Sequence, residues 1–457
     1  MSRSECNPFW TGRGGYSLAF LLALCLFGVG VKPALAVPAF GIQTGKHCQA
    51  CHVGGFGPQL TPYGREFKLT GYTDRTNPFN APFSAMAVMS YVQTQKAQVD
   101  PPAPGYRTND NLALDQVSLF FAGGFGQHLG AFVQTTYSGT AKAWTWDNLD
   151  IRATTKTTIA RQPTVLGLSL NNSPSVQDAW NTLPAWGYRY TTSSLAPSPS
   201  ASPLISGALA QTTLGATAYA WINTQYYIEA GAYGSPGATT LVRLGVDPTN
   251  PGSIQGLAPY VRLAYKHAFK IGVFELGAFG MDTAINPGLD RSTGLTDRYT
   301  DVGLDGSYLK TFQGGNVVSM NARYLAERQS LDATCALDGA GPECARNTLT
   351  EVRADASYYW RNELGGTVGV FNTTGSANPT LYAGNRTLKP DSTGMLFQVD
   401  GTPFGSSFSP LGPRFNIRVG VQYTIYSQFN GAGTNYDASG RNALDNNTAR
   451  VFAWIAY

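Results

Sequence analysis

The chain is poor in charged side chains and in long apolar helices. Lys, Arg, Asp and Glu make up 13% of its 457 residues, about half of the ~25% found in soluble domains. A formal net charge of +4 indicates no nucleic-acid partner. Beyond the N-terminal region, no stretch reaches the about 20 apolar residues that a transmembrane helix needs. Glycine and aromatic residues are abundant instead, and this composition favours a membrane β-barrel over a water-soluble domain.

The N-terminus has the pattern of a secretory signal peptide. Arg3 and Arg13 precede an apolar run over residues 16–31, and Ala34-Leu35-Ala36 follows as an A-x-A cleavage signal. We therefore predict a signal peptide over 1–36 and export of the remaining chain.

Cysteine is scarce, and its positions agree with export. Cys335 and Cys344 lie nine positions apart in a turn-rich stretch. In an oxidising compartment we expect them to close a loop disulfide.

The strongest motif is Cys48-Gln49-Ala50-Cys51-His52, the C-x-x-C-H attachment pattern of a c-type haem. The two thiols add across the haem vinyl groups, and His52 is placed to ligate the iron from one side. A redox-active dithiol or half of a zinc site would use the same cysteines. Because a second CxxC is missing and histidine follows directly, the sequence favours one covalently bound haem c.

The sequence does not decide the sixth ligand of the iron: it could be one of two methionines, or neither of them. Met86 and Met89 follow the haem motif closely, and a His/Met pair would raise the haem potential. They differ in parity on the first predicted strand, so at most one faces the lumen. The alternative is that both pack in the barrel wall.

From about residue 84 the sequence alternates between apolar and polar residues in segments of about ten, clearest over 317–327, 351–360 and 414–424. This period indicates strands with one lipid-facing and one lumen-facing side. We predict an all-β fold: a transmembrane outer-membrane β-barrel of about 16 strands over 84–457. Predicted starts include 147, 206, 222 and 411. Short periplasmic turns alternate with long extracellular loops, which places the cysteine pair of the loop outside the cell.

The segment between cleavage site and barrel, residues 37–83, carries the haem motif. It is too short to enclose a haem by itself, and a barrel of this size accepts a plug. We therefore predict that this monohaem cytochrome c segment lies in the lumen or at the periplasmic mouth.

Several segments resemble the fused monohaem cytochrome–porin family of the bacterial outer membrane, whose best-known members are iron oxidases. The N-terminal matches are Val37–Phe40, Gln43–Gly45, Cys48–His52, Pro58–Leu60, Tyr63–Arg65, Phe67–Lys68 and Gly71–Tyr72, with further matches in 171–186 and 422–448. Gly41-Ile42 and the glycine-rich 53–57 depart from the family pattern. The resemblance implies the barrel–cytochrome architecture more firmly than a particular electron donor.

These observations predict an outer-membrane electron-transfer protein. An extracellular reductant, with Fe(II) as the candidate, would pass electrons through the haem near the outer face to a periplasmic c-type cytochrome or another periplasmic acceptor. Fe(II):cytochrome c oxidoreductase activity stays open. Asp147, Asp150 and Asp178, in or near predicted extracellular loops, are candidate Fe(II) ligands. The alternatives are a different donor or electron export by the same architecture, and a diffusion porin with a structural or sensory haem.

Overall fold

A computed structural model describes residues 39–76, 82–180, 183, 187–341, 344–407, 409–411 and 415–457. The predicted signal peptide lies outside this part of the chain. Within it, no helix is long and apolar enough to cross a membrane.

The described chain forms a closed antiparallel β-barrel of sixteen long strands, so the predicted fold class is confirmed. Each strand pairs with the next, and the first also pairs with the last, which closes the wall. A short strand of two residues, β8, lies in a loop and pairs with β10. The strands are β1 (Phe83–Thr94), β2 (Asn111–Phe125), β3 (Leu129–Ser138), β4 (Ala143–Ile159), β5 (Gln162–Asn171), β6 (Leu214–Ile222), β7 (Tyr226–Gly234), β8 (Ser253–Ile254), β9 (Ala258–Phe269), β10 (Gly272–Asn286), β11 (Asp297–Thr311), β12 (Val317–Leu331), β13 (Arg346–Trp360), β14 (Leu364–Gly375), β15 (Ser392–Gly401), β16 (Asn416–Gln428) and β17 (Thr448–Ala456).

The two faces of the wall differ in polarity as the sequence predicts. On β12, Met320 and Tyr324 are 48% and 47% exposed on the outer face, whereas Arg323 and Glu327 are buried inside. Apolar side chains outside and polar side chains inside are the arrangement of a barrel that lies in lipid.

The connections give the barrel two different ends. The short-turn end carries the turns 126–128, 160–161, 223–225, 270–271, 312–316 and 361–363, together with the longer connection 402–415. The long-loop end carries 95–110, 172–213, 235–257, 287–296, 332–345, 376–391 and 429–447, and one tight turn at 139–142. A disulfide joins Cys335 and Cys344 at the long-loop end, with their Cα atoms 5.9 Å apart.

Four predicted strand starts were wrong by four residues or more. The strands predicted near 147 and 222 begin at 143 and 226, the strand predicted near 411 begins at 416, and the strand predicted near 206 begins at 214. The largest error arose because Leu204 and Ile205 form a helical turn that is buried against the inner wall. Their apolar side chains therefore belong to a loop folded into the barrel.

In the described part of the chain, five short α-helices lie outside the strands. They are α1 (Ala39–Thr44), α2 (Cys48–Cys51), α3 (Pro62–Leu69), α4 (Ala238–Arg243) and α5 (Asp332–Leu337). Helix α3 starts with proline in its first turn and is capped by Thr61, whose hydroxyl accepts a hydrogen bond from the Gly64 N–H at 3.2 Å.

Candidate functional site

The CxxCH motif is held by close packing between α2 and α3. Thr61 donates from its hydroxyl to the Ala50 carbonyl at 2.6 Å and from its backbone N–H to the Cys51 carbonyl at 2.9 Å. A Cβ atom on Gly64 would overlap the Cys51 carbonyl oxygen. Only glycine therefore lets the backbones of the two helices approach this closely.

The glycine-rich residues 53–57, which follow the CxxCH motif, pack closely against the barrel wall. Gly54 and Gly55 both have a φ of +73°, and added Cβ atoms would lie 2.9 Å from the Tyr359 ring and the Asn362 carbonyl oxygen. The Gly54 N–H donates to Asn362 Oδ1 at 2.7 Å. The spacer therefore turns sharply against the wall at the short-turn end.

Cys48, Cys51 and His52 line one cavity, which measures about 1140 Å³ including its open mouth. This volume, which includes space open to solvent, exceeds the about 300–1,000 Å³ usual for ligand sites. Its aromatic walls come from the N-terminal segment and from the barrel: Phe40, Phe56, Phe67, Tyr72, Phe132, Phe404 and Phe415. Its polar lining includes Lys46, His47, Lys68, Ser407, Ser409 and Asn416.

His52 presents a neutral imidazole to this cavity. Withdrawal from water lowers the pKa of His52 to about 4, with a smaller opposing effect of the Gln59 backbone and a further lowering by the charge of Arg418. Its buried Nδ1 has no hydrogen-bond partner among the described residues. A neutral ring is the form in which histidine ligates a metal ion.

The two cysteines are free thiols in the structure. Burial raises the pKa of Cys48, and burial together with the nearby Cys48 raises the pKa of Cys51 to about 12. Redox-active dithiols depend on a depressed pKa, so this environment does not resemble that of a thiol–disulfide oxidoreductase.

Two lysines bring positive charge to the cavity. The Nζ atom of Lys46 lies 4.9 Å from the centre of the Tyr63 ring. Lys68 donates to the Asp178 carbonyl at 3.3 Å, and burial lowers its pKa to about 8. Cations on the wall of an otherwise aromatic cavity suit a large planar ligand with acidic substituents.

The N-terminal segment (residues 39–76) is fixed to the inner wall by hydrogen bonds along its length. Arg418 donates to the Phe56 carbonyl at 2.6 Å, and Tyr72 donates to Asp150 Oδ2 at 2.6 Å. Arg65 forms a buried ion pair with Glu275. These contacts hold the segment at the short-turn end and in the adjoining part of the lumen.

The long loop 172–213 enters the lumen from the opposite end. Asp178 accepts hydrogen bonds from the Trp180 and Leu183 N–H groups at 2.9 and 2.6 Å, and lies 3.6 Å from Arg262 on β9. Because Lys68 donates to the Asp178 carbonyl, the loop and the N-terminal segment meet inside the barrel.

The structure separates the two candidate methionines. Met86 points inward, where its sulfur accepts a hydrogen bond from Trp454 Nε1 at 3.1 Å. Met89 is 44% exposed on the outer face. A side chain on that face cannot reach an iron inside the barrel, so the prediction of Met89 as a ligand is wrong. Neither methionine lines the cavity of His52.

The three aspartates that were candidate Fe(II) ligands are not exposed on extracellular loops: Asp147 and Asp150 lie on β4, and Asp178 lies on the loop 172–213 where this loop enters the lumen. Asp150 is fully buried and paired with Arg152, and Asp178 is fully buried as described above. Asp147 accepts hydrogen bonds from Thr136 and Gln211. Each therefore satisfies local polar groups inside the barrel. Among the residues that the structure describes, no three His, Cys, Asp or Glu side chains form a metal-binding group.

A closed barrel with an apolar outer face and a polar inner face defines the class: a porin-type β-barrel of the outer membrane. No family model and no curated relative matches the chain.

Solved outer-membrane proteins are similar in fold. The channel DcaP of Acinetobacter baumannii is 11% identical with a TM-score of 0.46, over 82% of this chain and 96% of its own. OprB of Pseudomonas putida is 10% identical with a TM-score of 0.44, over 82% and 94%. The anion-selective porin from Comamonas acidovorans is 12% identical with a TM-score of 0.41, over 82% and 98%. These likenesses are too remote to extend beyond the fold.

Proposed function

We propose that this protein carries one covalently attached c-type haem and transfers electrons across the outer membrane. The observation that carries the proposal is that Cys48, Cys51 and His52 line the same aromatic cavity. The same pentapeptide on an exposed loop would offer no shielding to a macrocycle.

The residues of the cavity fit that cofactor. Cys48 and Cys51 would form the two thioether bonds, and His52 would hold the iron with its neutral imidazole. The aromatic walls exclude water, and Lys46 and Lys68 would face the acidic substituents of the ring. When bound, a haem supplies a one-electron redox centre whose potential depends on axial ligation and burial.

The position of the cavity suggests the direction of the partners. In outer-membrane barrels the short turns face the periplasm, so a periplasmic cytochrome or another acceptor would meet the cavity from that side. An extracellular reductant, with Fe(II) as the first candidate, would deliver electrons from the long-loop side. The sequence predicts that the reductant gives up its electron near the outer face. Such a site would be separated from the cavity, which lies at the short-turn end.

A diffusion porin with a structural or sensory haem is the second candidate, favoured by the closed barrel with its polar inner wall. Electron export or a different donor would use the same cavity as electron uptake does.

The first experiment is an anaerobic visible spectrum of the purified, oxidised protein in detergent, before and after addition of Fe²⁺. We expect a c-type α-band that appears on mixing. The double variant Cys48→Ser/Cys51→Ser should lack covalent haem, whereas the matched double variant Cys335→Ser/Cys344→Ser should keep it. Absence of haem from the unmodified protein would refute the proposal.

Reduction by dithionite but not by Fe²⁺ would retain the haem and exclude Fe(II) as the donor. Single-channel conductance then separates the two functional classes. A large open-channel conductance in haem-loaded protein would favour the diffusion porin.

A further inference from the structure

Most buried carboxylates of the inner wall are neutralised by arginine. The pairs are Asp115–Arg450, Asp150–Arg152, Glu275–Arg65, Asp305–Arg262, Glu351–Arg323 and Asp400–Arg418. Four other buried carboxylates, Glu229, Asp297, Asp301 and Glu327, form no ion pair with any residue in the described part of the chain. Among these four, Asp301 and Glu327 are the two that pair with each other across neighbouring strands.

These two acids lie directly opposite each other. Asp301 on β11 is the register partner of Glu327 on β12, and both are inward-facing and at most 2% exposed. Directly opposed like charges destabilise a sheet, and burial increases the cost. The pair therefore needs a neutralising species.

The oxygen atoms around the pair are only partly used. Glu327 is held by the Leu204 N–H on Oε2 at 2.5 Å and by Gln329 Nε2 on Oε1 at 2.6 Å. The Ile205 N–H lies on the side of Asp301. The Glu327 carboxylate also approaches Asp301, but no N–H or O–H group donates to either Asp301 oxygen within hydrogen-bond geometry among the described residues.

A further oxygen without a partner belongs to a residue on the same face of the wall. Thr283 on β10 is fully buried, and its hydroxyl has no hydrogen-bond partner in the described structure. Thr283 pairs with Tyr299, and Met281, two residues before it, pairs with Asp301. Thr283 and Asp301 are thus diagonal neighbours on one face of two adjacent strands, a position in which residues are about 7–8 Å apart.

We propose that Asp301 and Glu327 bind a divalent cation that prefers oxygen ligands, with Thr283 as a neutral ligand and water in the remaining positions. Mn²⁺ and Mg²⁺ accept such sets of one or two carboxylates and several waters. With only two charged ligands, the cation would exchange rather than serve as a permanent structural ion. The pair lies four residues from the long-loop ends of β11 and β12.

The cation site itself does not depend on a haem. Its role as an entry site for Fe²⁺ rests on the proposed electron uptake. Since affinity at a given oxygen site rises from Mn²⁺ to Fe²⁺, a site that holds Mn²⁺ would also hold the candidate donor.

The test is a Mn²⁺ titration of the full protein in a non-ionic detergent at pH 7, followed by the electron paramagnetic resonance signal of free Mn²⁺. We expect one bound ion per chain, and at least tenfold weaker binding in Asp301→Asn and in Glu327→Gln. Both substitutions keep the side-chain shape and remove one of two opposed charges, so we expect the variants to fold.

Glu229→Gln is the matched control. Glu229 is a buried inner-wall carboxylate that accepts a hydrogen bond from the Tyr227 hydroxyl at 2.8 Å, and its loss should leave Mn²⁺ binding unchanged. If the unmodified protein binds no Mn²⁺, a shared proton neutralises the pair and the proposal is wrong. Equal affinity in Asp301→Asn would overturn it as well. Because Mn²⁺ binding requires no electron transfer, failure of Fe²⁺ to reduce a haem would refute the proposed function and leave the cation site standing.

Discussion

Arg418 on the barrel wall donates from Nη1 to the carbonyl oxygen of Phe56 in the N-terminal segment, at 2.6 Å. The same guanidinium donates from Nε to Asp400 at 2.6 Å and from Nη2 to the Tyr359 hydroxyl at 2.6 Å. One buried cation therefore joins the segment beside the CxxCH motif to two strands of the wall.

Replacing this cation should destabilise the protein strongly. Arg418→Met leaves Asp400 buried without its charge partner, which costs about 3–5 kcal/mol in the free energy of unfolding. Urea unfolding in detergent micelles measures the loss. Arg298→Met is the control, since its pair with Asp282 is largely exposed and should be worth less than about 1 kcal/mol. Equal losses in the two variants would show that Arg418 is not an anchor.

The contact between α2 and α3 should be sensitive to a single methyl group. Gly64→Ala would push α3 away from the Cys51 carbonyl oxygen, at a cost of about 1–3 kcal/mol. We expect fewer chains with covalent haem, quantified by the ratio of haem absorbance to protein. Gly237→Ala is the control because a Cβ there meets open space. Unchanged haem content in Gly64→Ala would contradict the tight packing of the motif.

In protein that carries the proposed haem, Lys68 should make the midpoint potential depend on pH. Its pKa is lowered to about 8, so the side chain is charged below that pH and neutral above it. A positive charge favours the reduced haem, so the midpoint potential should fall by roughly tens of millivolts as pH rises through 8. Lys68→Met should lower the potential at pH 7 and remove this step.

Spectroelectrochemical titration of both proteins from pH 6 to pH 10 measures the effect. Lys96→Met, which removes an exposed lysine at the long-loop end, should behave as the unmodified protein. A step that persists in Lys68→Met would assign the titration to another group.

Asp178 should keep the long loop inside the lumen. Asp178→Ala removes the acceptor of two buried N–H groups, each worth about 1–3 kcal/mol when left unsatisfied. We expect a higher and noisier single-channel conductance in planar bilayers. In Asp247→Ala, which removes a comparable cap of Thr249 on an exposed loop, the conductance should not change. No difference between the two variants would mean that other contacts hold the loop.

The barrel could be predicted from the sequence because its signal is local. Each residue of a strand such as β12 faces either lipid or lumen, so polarity alternates along the chain itself. The grouping of Cys48, Cys51 and His52 is equally local, since a spacing of three or four residues places them on one turn.

The interior could not be predicted, because it depends on contacts between distant residues. Tyr72 donates a hydrogen bond to Asp150, 78 positions away in the sequence. A periodic sequence pattern cannot predict such a pair. The choice between Met86 and Met89 depends on which face of β1 is turned inward, and this is seen in the contact of Met86 with Trp454, 368 positions away. The same holds for Asp150 and Asp178, predicted as Fe(II) ligands, whose buried arginine partners become visible only once the barrel is closed.

The pairing of β1 with β17 has a consequence for biogenesis. Ala85 and Tyr457 exchange both backbone hydrogen bonds at 2.9 Å, so the seam between them forms only when the last strand has arrived. The N-terminal segment, in contrast, is synthesised before any part of the wall. If the proposed haem is attached to this segment, the strands would enclose it as they assemble, and its attachment would have to precede the sealing of the cylinder.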